Sequence, residues 1–171
     1  QSPLPATQVM PHTRTPHTAT PTRKHTRKPR PKPTPQHVAD GNNSLLSYRG
    51  TWRSVTHAQA SDGTYRVCDD AKRCARKAAV KLSATGSKVV FGTAYGKAYG
   101  IVEIRLDGKS QQTVDLCEPN LKKEPKFAKI TIALPNDGAS HRLEIRSSKR
   151  TSVNCAKSKR GFVVDHFEVY P

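Results

Sequence analysis

One stretch, residues 99–108 (YGIVEIRLDG), constrains the fold most strongly. Val102, Ile104 and Leu106 alternate with the residues between them, and this period of two is typical of a strand with one packed face and one solvated face. The stretch ends in an Asp-Gly pair, which tolerates positive φ and therefore predicts a tight hairpin turn. A chain built around this segment is expected to be a β protein.

The strand-like stretch 87–95 lies just before it, and only residues 96–98 separate the two, so we predict that they form a central hairpin. About nine short strands and no helix are predicted in all, with turn residues between them at the spacing of an antiparallel sandwich. About 125 residues suffice to bury one core between two sheets. The other predicted strands are residues 48–56, 64–68, 78–83, 111–116, 127–134, 141–146 and 162–170.

Residues 1–44 differ in composition, because they contain most of the prolines, interleaved with Thr, Lys, Arg and His. Such a segment cannot bury enough apolar surface to offset the entropy of ordering it. We therefore predict a disordered linker or stalk over 1–44 and a β-sandwich domain over 45–171. The linker is either a passive spacer or a basic arm that adheres to a polyanion.

The chain is strongly basic, with a formal net charge of +17. Residues 1–44 contain seven of the 30 lysines and arginines and one of the 13 acidic residues, so both parts are basic. This balance attracts nucleic acid, anionic cell-wall polymers, acidic glycans or anionic lipid, or it only keeps the protein in solution. No zinc finger, helix-turn-helix or aromatic-rich RNA-binding motif is present in the sequence.

The setting is expected to be extracellular or at the cell surface, either secreted or tethered. No apolar run approaches the roughly 18–20 residues that cross a bilayer. The sequence begins at Gln1 without a signal-peptide core, which indicates a trimmed fragment whose leader or anchor is missing. Four cysteines in a small basic chain favour disulfides and an oxidising compartment.

The cysteine spacing favours one of three possible connectivities, with Cys68 joined to Cys74 and Cys117 to Cys155. The first pair encloses five residues, which a loop-closing disulfide can span. The rival interpretation is a zinc site, which needs thiolates or histidines at short paired spacings that this chain lacks. No metal or other cofactor is expected.

Six short motifs follow one another along residues 48–171: GTW (50–52), SDGTYR (61–66), VVFGTAYG (89–96), LDG (106–108), LPNDGASHRLEI (134–145) and VVDHFEVY (163–170). Their order is similar to that of the galactose-binding-like jelly-roll domains, the fold of many carbohydrate-binding modules. Such domains also form the extracytoplasmic ends of actinobacterial secreted proteins and membrane-anchored kinases, often behind a Pro/Thr linker. The resemblance implies a jelly-roll β-sandwich with a packed aromatic at Trp52. Fold transfers better than ligand, since some of these domains bind sugars and others only make protein contacts.

Sugar recognition usually needs an aromatic face and a few polar groups, and aromatic residues are scarce in this chain. Tyr95 and Tyr99 flank Lys97 among small residues that let a ligand approach the backbone. We therefore predict a ligand site formed by Tyr95, Lys97 and Tyr99. The alternative is that the two tyrosines only cover the end of a hairpin. Trp52 and Tyr65 are expected in the core.

Two lysine-rich loops, 119–129 and 149–160, form an anion-binding rim if they meet at one end of the domain. Otherwise their charges are simply solvated. The residues of this predicted rim are Lys122, Lys123, Lys126, Arg150, Lys157, Lys159 and Arg160.

Asp165 shares the register of Val163 and Phe167, so its carboxylate is expected on an apolar face. There it needs hydrogen bonds or a cation to offset desolvation. A backbone amide or an arginine is the expected partner. Calcium is a minor alternative, because no DxDxDG loop is present.

Catalysis finds little support, since the sequence has no GxSxG, HExxH, P-loop or GxGxxG motif and no local carboxylate pair. We expect a monomeric, non-enzymatic extracellular module that binds glycan or an anionic cell-wall polymer. The alternative is an extracytoplasmic sensor or protein-interaction domain of a membrane-anchored protein, with no sugar site. A third possibility is nonspecific polyanion contact through the tail and loops alone.

Overall fold

The structure is a computed structural model of the 171-residue chain, and it describes residues 31–42, 44–69, 74, 78–121, 125–155 and 161–171. These residues contain twelve strands, in agreement with the predicted all-β class. The strands are β1 (Gln36–Ala39), β2 (Leu46–Arg49), β3 (Arg53–Thr56), β4 (Thr64–Cys68), β5 (Ala79–Ala84), β6 (Lys88–Tyr95), β7 (Ile101–Leu106), β8 (Lys109–Asp115), β9 (Lys126–Ala133), β10 (His141–Ser147), β11 (Phe162–Val164) and β12 (His166–Tyr170).

The strands form three sheets, and every pairing between named strands is antiparallel. A four-stranded sheet has the order β1-β12-β6-β9, a five-stranded sheet has the order β2-β5-β10-β7-β8, and a small sheet has the order β11-β4-β3. The predicted antiparallel β-sandwich is confirmed.

A single apolar core joins the sheets. The five-stranded sheet contributes Val80, Ile104 and Ile145, whose side chains are fully buried. Phe91 of β6 and Phe167 of β12 stack in the four-stranded sheet with ring centroids 5.2 Å apart. The alternation seen in the sequence follows from this packing, because each strand turns every second residue toward the core and the intervening residues outward.

The Asp107-Gly108 turn is confirmed, since β7 and β8 form a hairpin with Leu106 opposite Lys109. Asp107 has φ 50° and Gly108 has φ 79°, and two successive positive φ values are the signature of the turns that join twisted strands tightly.

The predicted hairpin between residues 87–95 and 99–108 is wrong, because β6 and β7 belong to different sheets. Residues 96–100 carry the chain from one sheet to the other, held by a hydrogen bond from the Gly96 amide to the Leu116 carbonyl at 3.0 Å. The apolar sides of both strands face the same core from opposite sheets, which a flat hairpin would not allow.

Two predicted strands also change sheets along their length. Residues 48–56 divide into β2 and β3, with Gly50 at φ 100° between them, and residues 162–170 divide into β11 and β12 at Asp165. Both breaks help to build the small third sheet.

The strand β1 lies within residues 1–44, so the prediction of a linker is wrong for residues 36–39. Val38 is buried and lies opposite Phe167 of β12, which explains why this short segment is ordered although its periodicity is too brief to detect. Residues 1–30 lie outside the described residues.

Both predicted disulfides are confirmed, with Cα atoms 5.6 Å apart for Cys68–Cys74 and 6.1 Å apart for Cys117–Cys155. They occupy all four thiols and exclude the zinc interpretation. Within the described part of the chain, no helix is long and apolar enough to span a membrane.

Candidate functional site

The structure does not bring Tyr95, Lys97 and Tyr99 together as a sugar platform. Tyr99 is only 8% exposed, and a Cβ atom on Gly96 would lie 2.8 Å from its ring. Burial raises the pKa of Tyr99, and its hydroxyl shares a hydrogen bond with Tyr65. The prediction that Tyr99 stacks on a ligand is therefore wrong, because its ring is part of the core. Tyr95 is half-buried against the same core, and Lys97 is exposed.

Trp52 packs against the core, as the resemblance implied, but it is only half-buried, and its ring meets Phe162 edge-on at 5.0 Å. Its indole Nε1 donates a hydrogen bond to the Arg49 carbonyl at 2.9 Å. Tyr65 is buried, as expected.

Only two members of the predicted anion-binding rim, Lys126 and Arg150, lie in the described residues. Lys126 begins β9 opposite Tyr95 in the four-stranded sheet, whereas Arg150 follows β10 of the five-stranded sheet. The rim as a whole stays a prediction, because its other members lie outside the described residues: Lys122, Lys123, Lys157, Lys159 and Arg160.

A cavity of about 230 Å³ opens beside the four-stranded sheet, and we call it the aromatic–polar pocket. Strand β9 supplies one wall, the turn between β3 and β4 a second, and the junction of β11 with β12 a third. Its lining residues are Gln59, Ser61, Phe127, Ala128, Lys129, Asp165 and His166.

Phe127 provides the aromatic surface of this pocket. It is half-buried and held in an aromatic cluster, with ring centroids 5.2 Å from His57 and 5.5 Å from Tyr65. The Tyr65 contact is edge-to-face, a preferred geometry for aromatic pairs. The cluster fixes the orientation of the ring before any ligand arrives.

Asp165 provides the buried carboxylate of the pocket. Its Oδ1 accepts a hydrogen bond from the Ser61 amide at 2.9 Å, and its Oδ2 accepts one from His166 Nδ1 at 2.9 Å. The expected partnership with a backbone amide is confirmed, and a histidine takes the place foreseen for an arginine. These contacts tie the turn between β3 and β4 to β12.

His166, Glu168 and Lys129 continue this polar network. Lys129 Nζ lies 2.6 Å from Glu168 Oε1 and lowers the pKa of Glu168 to about 2. Burial alone would lower the pKa of His166, but the hydrogen bond and charge of Asp165 raise it above its usual value. The pocket therefore presents polar groups that hydrogen bonds hold in a fixed orientation, and such groups can bind hydroxyls.

A second cavity of about 330 Å³ opens on the five-stranded sheet, and we call it the basic pocket. Glu103 is the one carboxylate among the described residues that line it, and it accepts hydrogen bonds from Arg146 Nε at 3.0 Å and Nη2 at 2.7 Å. Burial opposes ionisation of Glu103, but Arg146 holds its pKa below the usual value. The lining residues are Arg49, Glu103, Arg146, Ser147, Ser148, Lys149 and Arg150.

The sequence analysis missed Phe127 and Gln59 and placed Lys129 only in the basic loop 119–129, because the pocket combines elements far apart in the chain. One signal was available: Phe127 is an aromatic residue at the start of a predicted strand, directly after a lysine-rich loop.

The chain matches no known protein-family profile and no curated protein. Solved structures do share its fold. The exo-β-1,3-galactanase of Phanerochaete chrysosporium with β-1,3-galactotriose aligns with TM-score 0.53 and 13% identity over 80% of this chain and 29% of that one. A Paenibacillus xanthan lyase aligns with TM-score 0.56 and 16% identity over 90% of this chain and 14% of that one. An α-1,3-glucanase catalytic domain in complex with nigerose aligns with TM-score 0.53 and 15% identity over 80% of this chain and 28% of that one.

The chain thus spans less than a third of each of these proteins. What it shares with them is a β-sandwich fold that occurs in carbohydrate-active proteins.

Proposed function

We propose that this chain is a non-catalytic extracellular module that binds glycan, and that the aromatic–polar pocket takes one sugar ring. The observation that carries the proposal is the pairing of a pre-oriented Phe127 ring with hydrogen-bonding groups from β9 and two other elements in one cavity. This is the combination that sugar sites use, with an aromatic face for the ring and polar groups for its hydroxyls.

The fold supports the same proposal, because the matched structures belong to proteins that act on galactan, xanthan and α-1,3-glucan. A galactose-binding-like jelly roll and a glycan or anionic cell-wall polymer as partner are part of the proposal. Two disulfides support a secreted or surface-tethered setting. A monomer is the proposed state.

The test is binding of the purified chain to β-1,3-galactan, xanthan, mannan and α-1,3-glucan by affinity electrophoresis and calorimetry. Phe127→Leu keeps apolar bulk and removes the aromatic face, and Gln59→Ala removes one exposed polar group. We expect each to weaken binding by roughly tenfold, which corresponds to about 1.4 kcal/mol.

Val153→Ala is the matched control, because Val153 is 94% exposed and does not line the pocket. Its affinity should equal that of the unmodified chain, and melting curves should show that all variants are folded. Failure of the unmodified chain to bind any of the glycans would contradict the proposal and favour a sensor or protein-interaction domain. If Phe127→Leu and the unmodified chain bind glycan with equal affinity, the aromatic–polar pocket is not the glycan-binding site.

A further inference from the structure

The outer face of the five-stranded sheet has a charge pattern that the aromatic–polar pocket does not use. On β10, Arg142, Glu144 and Arg146 alternate with buried Leu143 and Ile145, so the charged residues all point away from the core. Two cavities open on this face: the basic pocket and a third cavity of about 260 Å³. The third cavity is lined by Leu45, Ser47, Lys81, Leu82, Ser83 and Arg142.

The register places two arginines on either side of a very small residue. Ala79 of β5 lies opposite Arg49 on one side and opposite Arg146 on the other. Two strand spacings put their Cα atoms about 10 Å apart, and Ala79 between them is fully buried. Arg146 is already bound by Glu103, so this pair of arginines adds positive charge to the basic pocket and leaves anion binding to the residues beyond it.

The acidic residues of this face are already paired. Glu103 is bound by Arg146 at 2.7 Å, and Glu144 lies 3.6 Å from Lys81. In the described part of the chain, Arg142, Lys149 and Arg150 form no ion pair with a carboxylate. The surplus positive charge therefore lies at both ends of β10, at Arg142 near its start and at Lys149 and Arg150 after its end, and it is available to an anionic ligand.

The two cavities lie along one strand direction. Arg142 and Arg146 are four residues apart on β10, which is about 13 Å in an extended strand. Serine hydroxyls occur at both ends, at Ser47 and Ser83 in one cavity and at Ser148 in the other. The face thus offers widely spaced cationic positions separated by hydroxyls and by neutralised carboxylates.

We propose that this face, from Arg142 to Arg150, is a binding track for an extended acidic polysaccharide whose carboxylate or sulfate groups are spaced along the chain. It lies on a different sheet from the aromatic–polar pocket and deepens the glycan-binding proposal by naming the charge of the polymer. Nucleic acid fits less well, because its phosphates are closely spaced and would meet Glu103 and Glu144. In addition, neither cavity is lined by an aromatic residue on which bases could stack.

The test compares two triple variants that each remove three positive charges. The track variant is Arg142→Gln, Lys149→Gln and Arg150→Gln. The control variant is Lys32→Gln, Lys88→Gln and Lys109→Gln, none of which lines either cavity or belongs to the predicted anion-binding rim. Both are titrated with polygalacturonic acid, dextran sulfate, unmodified dextran and single-stranded DNA at several salt concentrations, after melting curves confirm that they are folded.

We expect the track variant to bind polygalacturonic acid or dextran sulfate at least roughly tenfold more weakly and with a smaller salt slope. The control variant should lose less than about threefold. Whichever polymer binds more tightly identifies carboxylate or sulfate as the recognised group. Phe127→Leu should leave this binding unchanged, so the track and the aromatic–polar pocket can fail separately.

Equal losses in the two triple variants would overturn the track in favour of dispersed charge. Tighter binding to DNA than to both acidic polysaccharides, lost in the track variant, would also overturn it and assign the face to nucleic acid. No binding to either acidic polymer would overturn it outright.

Discussion

Gly92 of β6 and His166 of β12 are direct partners across their strands, and the His166 imidazole lies over Gly92. A Cβ atom built on Gly92 would lie 2.4 Å from His166 Nδ1, the atom that donates to Asp165. The absence of a side chain at residue 92 thus allows the buried His166–Asp165 pair to form beside the aromatic–polar pocket.

Gly92→Ala is therefore expected to destabilise the fold by about 1–3 kcal/mol, the usual cost of overpacking a filled site. Denaturant unfolding measures the loss. Gly41→Ala is the control, because a Cβ atom at Gly41 meets nothing within 4 Å and should change stability little. Equal stability of Gly92→Ala and the unmodified chain would mean that the imidazole can move aside freely.

Removing the Asp165 carboxylate should cost more, because Asp165→Ala leaves the Ser61 amide and His166 without their buried acceptor. Losing one partner of a buried charged pair costs about 3–5 kcal/mol. Asp165→Asn keeps an acceptor for Ser61 and should be the milder change. It should also lower the pKa of His166, because the Asp165 charge that raises this pKa is lost while burial still lowers it. Proton NMR titration of the imidazole checks this shift, and an unchanged His166 pKa would contradict the assignment.

His141 is the first residue of β10 in the five-stranded sheet, and it lies between two carboxylates. Its Nδ1 is 2.8 Å from Asp107 Oδ2 and its Nε2 is 3.0 Å from Asp137 Oδ1, and these contacts raise the pKa of His141 above 6.5. The pKa of Asp107 is lowered by the Arg142 amide and by His141, and that of Asp137 by the Ala139 amide and by His141.

The contacts of His141 with Asp107 and Asp137 should stabilise the fold most between about pH 4 and pH 6.5. A histidine with a raised pKa contributes fully below its unfolded value and loses that contribution as pH rises through its folded value. The two aspartates contribute above their unfolded value of 3.8 and lose it as pH falls through their lowered values. Unfolding curves of His141→Gln against the unmodified chain should differ most in that window, and a pH-independent difference would contradict the mechanism.

The two disulfides should contribute unequally, because they close loops of different length. In the chain-entropy model, the separation of 38 residues between Cys117 and Cys155 is worth about 4 kcal/mol. The separation of six between Cys68 and Cys74 is worth about 2 kcal/mol. Paired Cys→Ala variants, compared in guanidinium chloride, should show the larger loss for Cys117 and Cys155. The reverse order would mean that native packing around the shorter loop dominates.

Local pattern predicted much of the fold. Alternation located most strands, the Asp107-Gly108 turn was correctly assigned, and the cysteine spacing favoured the observed disulfides. Local pattern could not show which sheet a strand joins. The link after Tyr95 is as short as a hairpin loop, yet it crosses the core, because sheet membership depends on partners far away in the sequence.

The candidate sites were harder to predict for the same reason. Tyr95 and Tyr99 are close in sequence, but burial of the Tyr99 ring removes it from any ligand. Phe127 and Asp165 line one cavity although 37 residues lie between them. Arg49 and Arg146 line another, and they are brought close because β2 and β10 both pair with β5. Nothing local to these residues indicates that they meet.

The pairing of β1 with β12 has a practical consequence for anyone who shortens this protein. β1 is the outermost strand of its sheet, and it hydrogen-bonds β12 from Gln36 to Ala39. Cutting the chain at residue 45 would bare the backbone amides and carbonyls along β12 and uncover Phe167. An uncovered strand of this kind recruits the same strand from another molecule, so the trimmed protein should self-associate.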